Sequence, residues 1–231
     1  MGSGLEPSTH APEIAAASRP VQTPEGRRIV DESFATIDRE AGEHGFASDA
    51  WTVVRRMIHT TADFEFKDLT MFHSGALTAG VAALRRSCPI VVDVQMIRAG
   101  LSLERLQAFG NQVSCFVSDE DVLVEALCQH TTKAAIAMRK AHRLGLMDGG
   151  VIAVGNAPTA LFEVLRLVQE DGARPALIVG VPVGFIAASE SKEALVAQVA
   201  TPFITTRGRK GGSPVAVAIV HSLLALAAAE E

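Results

Sequence analysis

Two short segments carry the side chains best suited to chemistry. In Arg55-Arg56-Met57-Ile58-His59, Arg56 and His59 stand three residues apart, so on a helix they share a face. Histidine is the side chain that gives and takes a proton near neutral pH, and a neighbouring guanidinium disfavours the imidazolium. The plainer alternative is a surface histidine on an amphipathic helix. In Thr206-Arg207-Gly208-Arg209-Lys210-Gly211-Gly212-Ser213, three cations and three glycines precede an apolar helical run. Backbone donors, helix dipole and guanidinium forks converge there, which suits carboxylates or phosphates. A solvated basic loop is the competing reading. The spacing is not that of a P-loop.

Other candidates depend on where the chain turns. Val151-Ile152-Ala153-Val154 reads as a buried strand, Gly155-Asn156 as a tight turn, and Pro158 as the first residue of a helix carrying Leu161, Val164, Leu165 and Val168. A parallel sheet places its binding crevice at such a turn, and the helix N-terminus there offers N–H donors to an anion. A simple connector is the alternative. Asp93 ends another apolar run, as a crevice carboxylate or a structural helix cap. Thr131-Thr132-Lys133 is an N-cap or a further cation for the crevice. Val181-Pro182-Val183-Gly184-Phe185 is an open, bent strand end, and Ser189-Glu190-Ser191-Lys192-Glu193 resembles a capped helix start. Dinucleotide fingerprint, nucleophile elbow and metal-ligand spacing are all missing. What remains suits a one-proton reaction on a polyanionic substrate without a protein-bound cofactor.

The elements that must position these residues follow from periodicity. Residues 1–23 are rich in Ala, Pro and Ser without sustained pattern, and read as a disordered tail. A helix starts at Thr23-Pro24, with Val30, Phe34, Ile37 and Ala41 as its stripe and Ser33 at the stripe's edge. A second starts at Ser48-Asp49 with Trp51, Val54 and Ile58 inward, and a third follows Ser74-Gly75. Strands are expected at 89–94, 113–117, 151–154, 176–181 and 203–206. Helices are expected at 95–99, 119–130, 132–144, after Pro158, at 189–199 and from Ser213-Pro214. About five strands alternating with helices imply an α/β fold with a doubly wound parallel sheet, plus extra N-terminal helices.

Composition narrows the class. The chain has 231 residues, 48% hydrophobic and 20% charged, with net charge −5 and no tyrosine. No global basic field favours nucleic acid. Cys88, Cys115 and Cys128 fit neither a zinc motif nor a disulfide framework. With no apolar run near the ~20 residues of a membrane span and no signal-peptide pattern, a cytoplasmic protein without membrane contact is expected.

Taken together, six segments in order resemble the precorrin-8X methylmutase (precorrin isomerase) family of cobalamin biosynthesis. They are Ser33–Ile37, Arg56–His59, Gly155–Phe162, Pro182–Phe185, Glu190–Leu195 and Arg207–Ser213, spanning about Gly26 to Leu226. The resemblance implies one flavodoxin-like domain over 24–231, three-layered α/β/α and working as a homodimer with its site near the interface. It implies a methyl shift between adjacent ring C carbons of precorrin-8X or cobalt-precorrin-8, giving hydrogenobyrinic acid or its cobalt counterpart. It implies His59 as the catalytic residue, protonating or hydrogen-bonding the ring C nitrogen. Ser33, Arg56, Ser102, Lys133, Asn156, Thr159, Arg207 and Arg209 are implied to bind substrate, with no metal and no cofactor. The middle departs from the family pattern. Gln95 replaces a usual Glu, Leu103 a usual Arg and Lys133 a usual Arg, and 107–112 is one residue longer. Lys133 keeps charge but loses the bidentate fork. The alternatives are a non-catalytic corrinoid-binding relative, or an unrelated anion- or nucleotide-binding α/β module.

Overall fold

A capped amphipathic helix opens the described part of the chain. Thr23 Oγ1 accepts from Gly26 N (3.1 Å), Pro24 needs no partner in the first turn, and α1 runs Pro24–Ala41 until Gly42 stops it at φ 62°. The computed structural model describes residues 23–198 and 200–229, so the expected tail lies outside them apart from Thr23. In order follow α2 (Ser48–Thr61), α3 (Phe66–Leu69), β1 (Thr70–Phe72), α4 (Ala76–Arg85), β2 (Ile90–Val92), α5 (Gln95–Gly100), α6 (Leu103–Phe109) and β3 (Val113–Ser114). Then come α7 (Glu120–Cys128), α8 (Lys133–Arg143), β4 (Val151–Val154), α9 (Pro158–Glu170), β5 (Leu177–Gly180), α10 (Ala188–Ala197), β6 (Phe203–Thr206) and α11 (Ser213–Ala229).

The strands form one six-stranded sheet in the order β1-β6-β5-β4-β2-β3. The five expected strands are all there and mutually parallel. The sixth, β1, was not expected; it pairs antiparallel with β6 at the sheet edge, Thr70 opposite Thr206. Three residues are too few to show a period of two. The expected strand at 113–117 shrinks to Val113–Ser114 at the opposite edge, and α3 and α6 were also not expected.

Helices cover both faces. Leu177 of β5 meets the α4 face at Gly80. Three residues on, Gly180 faces the opposite way, where an added Cβ would lie 2.5 Å from Leu195 and 3.1 Å from Leu161. One layer is therefore α4, α5 and α11, and the other is α8, α9 and α10. The strands β2, β4, β5 and β6 are buried throughout, as a doubly covered sheet requires. α11 carries no charged residue because both its sides are covered, one by the sheet and the other by α2. α2 and α1 thus form an extra outer layer. Asp38 of α1 pins it, accepting from Trp51 Nε1 (2.7 Å) and Arg55 Nη1 (2.8 Å) of α2.

Candidate active site

The chain leaves β2 for β3 on one side and returns to β4 on the other, so the strand order reverses between β2 and β4. Open α/β sheets form their crevice at such a point. Here Asp93, 1% exposed, sits at its floor. Its Oδ1 accepts from Gly155 N (3.0 Å) and its Oδ2 from Asn156 N (2.9 Å) and Ala157 N (2.7 Å). Burial pushes the Asp93 carboxyl pKa up, while the three N–H donors pull it back. The N–H donors of the turn, Gly155 to Ala157, are thus held by a carboxylate of the chain, which takes no N–H from within α9. Asp93 ties down the turn that leads into α9 across the crevice and makes no cap bond to α5, the helix that follows it. Gly155 lets the corner close, since a Cβ there would lie 3.0 Å from Gly212 O and Ser213 Cα at the start of α11.

Above this corner, α2 presents Arg56 and His59. The Phe34 ring of α1 serves both: His59 meets it edge-on at 5.1 Å, and the Arg55 and Arg56 guanidiniums lie 4.5 and 5.4 Å from its centre. Ser33, Thr36, Glu40, His59 and Phe64 line an open cavity of about 480 Å³. The Ser33 hydroxyl donates to Ile29 O (2.7 Å), so a ligand must take it from its own helix. Partial burial, then the Arg56 charge, hold the His59 pKa below its ordinary value.

A second cavity, about 260 Å³, is lined by Arg56, Thr60, Met96, Ser213 and His221. Burial, then Arg105 and Arg55, lower the Arg56 pKa. Arg56 Nε and Arg105 Nη1 are buried without an acceptor. His221 Nε2 accepts from Ser102 N (3.0 Å), which assigns the ring proton to Nδ1. Burial, then Arg105 and Arg56, push the His221 pKa down to about 4. Among the described residues no carboxylate pairs with Arg56 or Arg105. The region is thus rich in donors and short of acceptors, which is chemistry for an anion.

The remaining candidates lie on other elements. Ser102 caps α6, its Oγ accepting from Arg105 N (3.4 Å). Thr132 caps α8, accepting from Ala135 N (3.2 Å) and donating to Thr159 Oγ1 (2.9 Å), so the starts of α8 and α9 are tied together. Lys133 and Asn156 are exposed there. Arg207 and Arg209 are exposed on the loop after β6. Arg207 lines a third cavity of about 380 Å³ with Met71, Lys192 and Thr206, and Arg209 stacks over Phe185 at 5.4 Å. The third cation of this loop is not available, because Lys210 Nζ pairs with Asp63 (2.5 Å) and Glu65 (2.9 Å).

The structure therefore joins Ser33 with His59, Arg56 with His221, and Ser102 to α11 through His221, while Arg207 lies in a separate cavity. Arg105, His221 and Lys192 were not among the candidate residues, although Lys192 lay in a segment read as a capped helix start. His221 had one visible signal, as the lone ionisable side chain of an otherwise apolar helix.

Comparison with known proteins gives the family. A family model described as precorrin-8X methylmutase matches residues 28–226. The chain belongs to the precorrin-8X methylmutase family. It is 50% identical over 206 residues to the cobalt-precorrin-8 methylmutase of Leptospira interrogans, covering 87% of this chain and 94% of that protein. It is 39% identical over 200 residues to the precorrin-8X methylmutase of Pseudomonas aeruginosa, covering 86% and 95%. The solved precorrin-8X methylmutase of Thermus thermophilus superposes with TM-score 0.83 at 48% identity, covering 88% of this chain and 97% of that one. A methylmutase is an isomerase: it transfers a methyl group within one molecule, here in cobalamin biosynthesis.

Proposed function

We propose that this chain converts precorrin-8X or cobalt-precorrin-8 to hydrogenobyrinic acid or its cobalt counterpart, with His59 as the proton-handling residue. The observation that carries the assignment is the placement of His59: exposed at the cavity it shares with Ser33, one helical turn from an Arg56 that has no counter-ion among the described residues. The methyl leaves one ring C carbon as it bonds to the next, so no atom is gained or lost. What the protein must supply is an altered electron distribution in ring C, and a hydrogen bond or proton at its nitrogen does this. A neutral His59 with a positioned N–H provides the hydrogen bond. The acidic arms of the substrate offset the Arg56 field and favour the imidazolium. Arg56, Lys133, Arg207 and Arg209 hold those arms, and the Ser33, Ser102 and Thr159 hydroxyls with the Asn156 amide complete the polar contacts. The exposed positions of Lys133, Arg207 and Arg209 support this role, since among the described residues none of these charges is spent on an ion pair.

The same reading takes 24–231 as one domain and the sheet as flavodoxin-like. One continuous core supports the first, and the parallel strands, taken in chain order as 2-1-3-4-5 across the sheet, support the second. It takes the working unit as a homodimer, which would bring a second copy's residues to cavities that are open and separate in one chain. It places the enzyme in the cytoplasm, supported by three free cysteines, and among the described residues no helix is long and apolar enough to cross a membrane. A binding-only relative gains no support: Leu103 is exposed, and Gln95 is occupied with Cys115 O at 3.4 Å. Both substrates should be offered to the purified protein and the visible spectrum followed. Conversion changes the conjugated system, so new bands should grow in proportion to enzyme. Neither substrate converting would contradict the proposal.

A further inference from the structure

Glu190-Ser191-Lys192-Glu193 reads in the sequence as a solvated, charged helix start, yet Lys192 is 2% exposed. Its Nζ donates to Lys210 O (2.8 Å) and Thr206 Oγ1 (3.3 Å), and no carboxylate pairs with it among the described residues. Burial alone brings its pKa down to about 8. An unpaired buried cation opposes folding, and an apolar side chain of similar size is often neutral or better at such a place. Stability therefore does not account for an ammonium here.

What the ammonium holds is the backbone of the basic loop. The Lys210 carbonyl lies between Arg209 and Gly211 and also accepts from Thr206 Oγ1 (2.7 Å). Around it, Gly184 N donates to Arg209 O (3.3 Å), Gly212 N donates to Val181 O (2.8 Å) and Arg207 N donates to Leu69 O (2.8 Å). A Cβ on Gly211 would run into Val181 O, so the loop lies flat against the end of β5. The Lys210 side chain ties the outside of the loop to Asp63 and Glu65, just beyond the His59 end of α2. Lys192 ties the inside of it to α10, in the cavity that Arg207 also lines.

We infer that Lys192 is a positioning residue for the acidic arms of the corrinoid: holding the Lys210 carbonyl from within, it fixes the backbone from which Arg207 and Arg209 extend. This rests on the proposal that those two arginines bind substrate carboxylates. Replacing Lys192 by Met leaves the carbonyl its Thr206 donor and removes the buried charge, so the fold persists while the loop loses its inner strut.

The test titrates hydrogenobyrinic acid by absorbance into the full-length parent, Lys192→Met, Thr206→Val, Arg207→Ala/Arg209→Ala and the triple variant combining Lys192→Met with the two alanines, with thermal unfolding of each. Lys192→Met should melt at or above the parental temperature yet bind about ten-fold more weakly, equivalent to about 1.4 kcal/mol. The arginine double variant should bind more weakly with a smaller salt dependence, and adding Lys192→Met to it should cost no further affinity, because groups acting as one unit are not additive. Thr206→Val disturbs the same carbonyl and should weaken binding in the same direction, which decides the matter even if Lys192→Met does not fold. Parental affinity in Lys192→Met, or in Thr206→Val where that variant stands in for it, overturns the inference. So does a full further loss in the triple variant. If instead the arginine double variant binds like the parent, the carboxylate role of the loop itself falls, and the inference with it.

Discussion

Arg56 and His59 owe their chemistry to their neighbours. Burial and the Arg56 charge both disfavour imidazolium and hold the free His59 pKa below the ordinary value of about 6.5. Histidine NMR should show this, with Arg56→Gln moving the titration upward and bound hydrogenobyrinic acid moving it upward in the parent. A titration above the ordinary value in the free protein would contradict it. His221 offers a stability test with a definite sign. Its folded pKa is about 4, below its unfolded value, so between about 6.5 and 4 the unfolded chain binds the extra proton. Stability from this group is present above that window and is lost as pH falls through it. Urea denaturation at pH 7, 5.5 and 4 should show the parent losing more stability than His221→Gln, which keeps an acceptor for Ser102 N. Equal losses would show that His221 is not desolvated. Ser33, offered by the family resemblance, lines the His59 cavity in the structure, and that Arg56 and His59 share a helix face was legible from their spacing. Lys192 was not, because its charged neighbours look solvated and its burial depends on β6 and the following loop.

At the scale of elements, the strand–turn–helix around Gly155 was recognised from local pattern, but the partner of its turn was not. The group that occupies its N–H donors stands 62 residues earlier in the chain at Asp93, and no local period reports a contact of that range. Asp93→Asn keeps the shape but offers an N–H₂ where an acceptor is needed. It should destabilise the fold by about 1–3 kcal/mol, the usual cost of leaving buried donors unpaired. Chemical denaturation would measure this, and hydrogen exchange should quicken first at Gly155, Asn156 and Ala157. Unchanged stability would mean these donors find other partners. The long amphipathic helices and the apolar runs of the parallel strands were foreseen, whereas β1, α3 and α6 were not; β1 and α3 exist because β6 and α2 give them something to pack against.

At the scale of the molecule, several large apolar side chains face outward. Phe185 is 85% and Ile186 87% exposed, beside the basic loop. Such patches commonly mark interaction surfaces. In the homodimer proposed here they meet the second copy, and sedimentation equilibrium should give twice 24.3 kDa. Phe185→Ser with Ile186→Ser should shift the mass toward one chain and lower turnover; a monomeric, fully active parent would contradict the dimer. The fold class was legible because a doubly covered parallel sheet writes itself as apolar runs between amphipathic helices. The separation of Arg207 from His59 was not, since distances between loops are set by packing. The central claim is that His59 handles the proton of the methyl shift while the cations hold the substrate. Its most direct test is the single-turnover conversion of precorrin-8X, or of cobalt-precorrin-8 if that is the form the parent converts, by His59→Ala, read by visible absorbance beside a titration with hydrogenobyrinic acid. The variant should fold and bind like the parent and convert substrate about 10²–10⁴-fold more slowly, the magnitude of a lost general acid. Conversion at the parental rate would remove His59 from the mechanism.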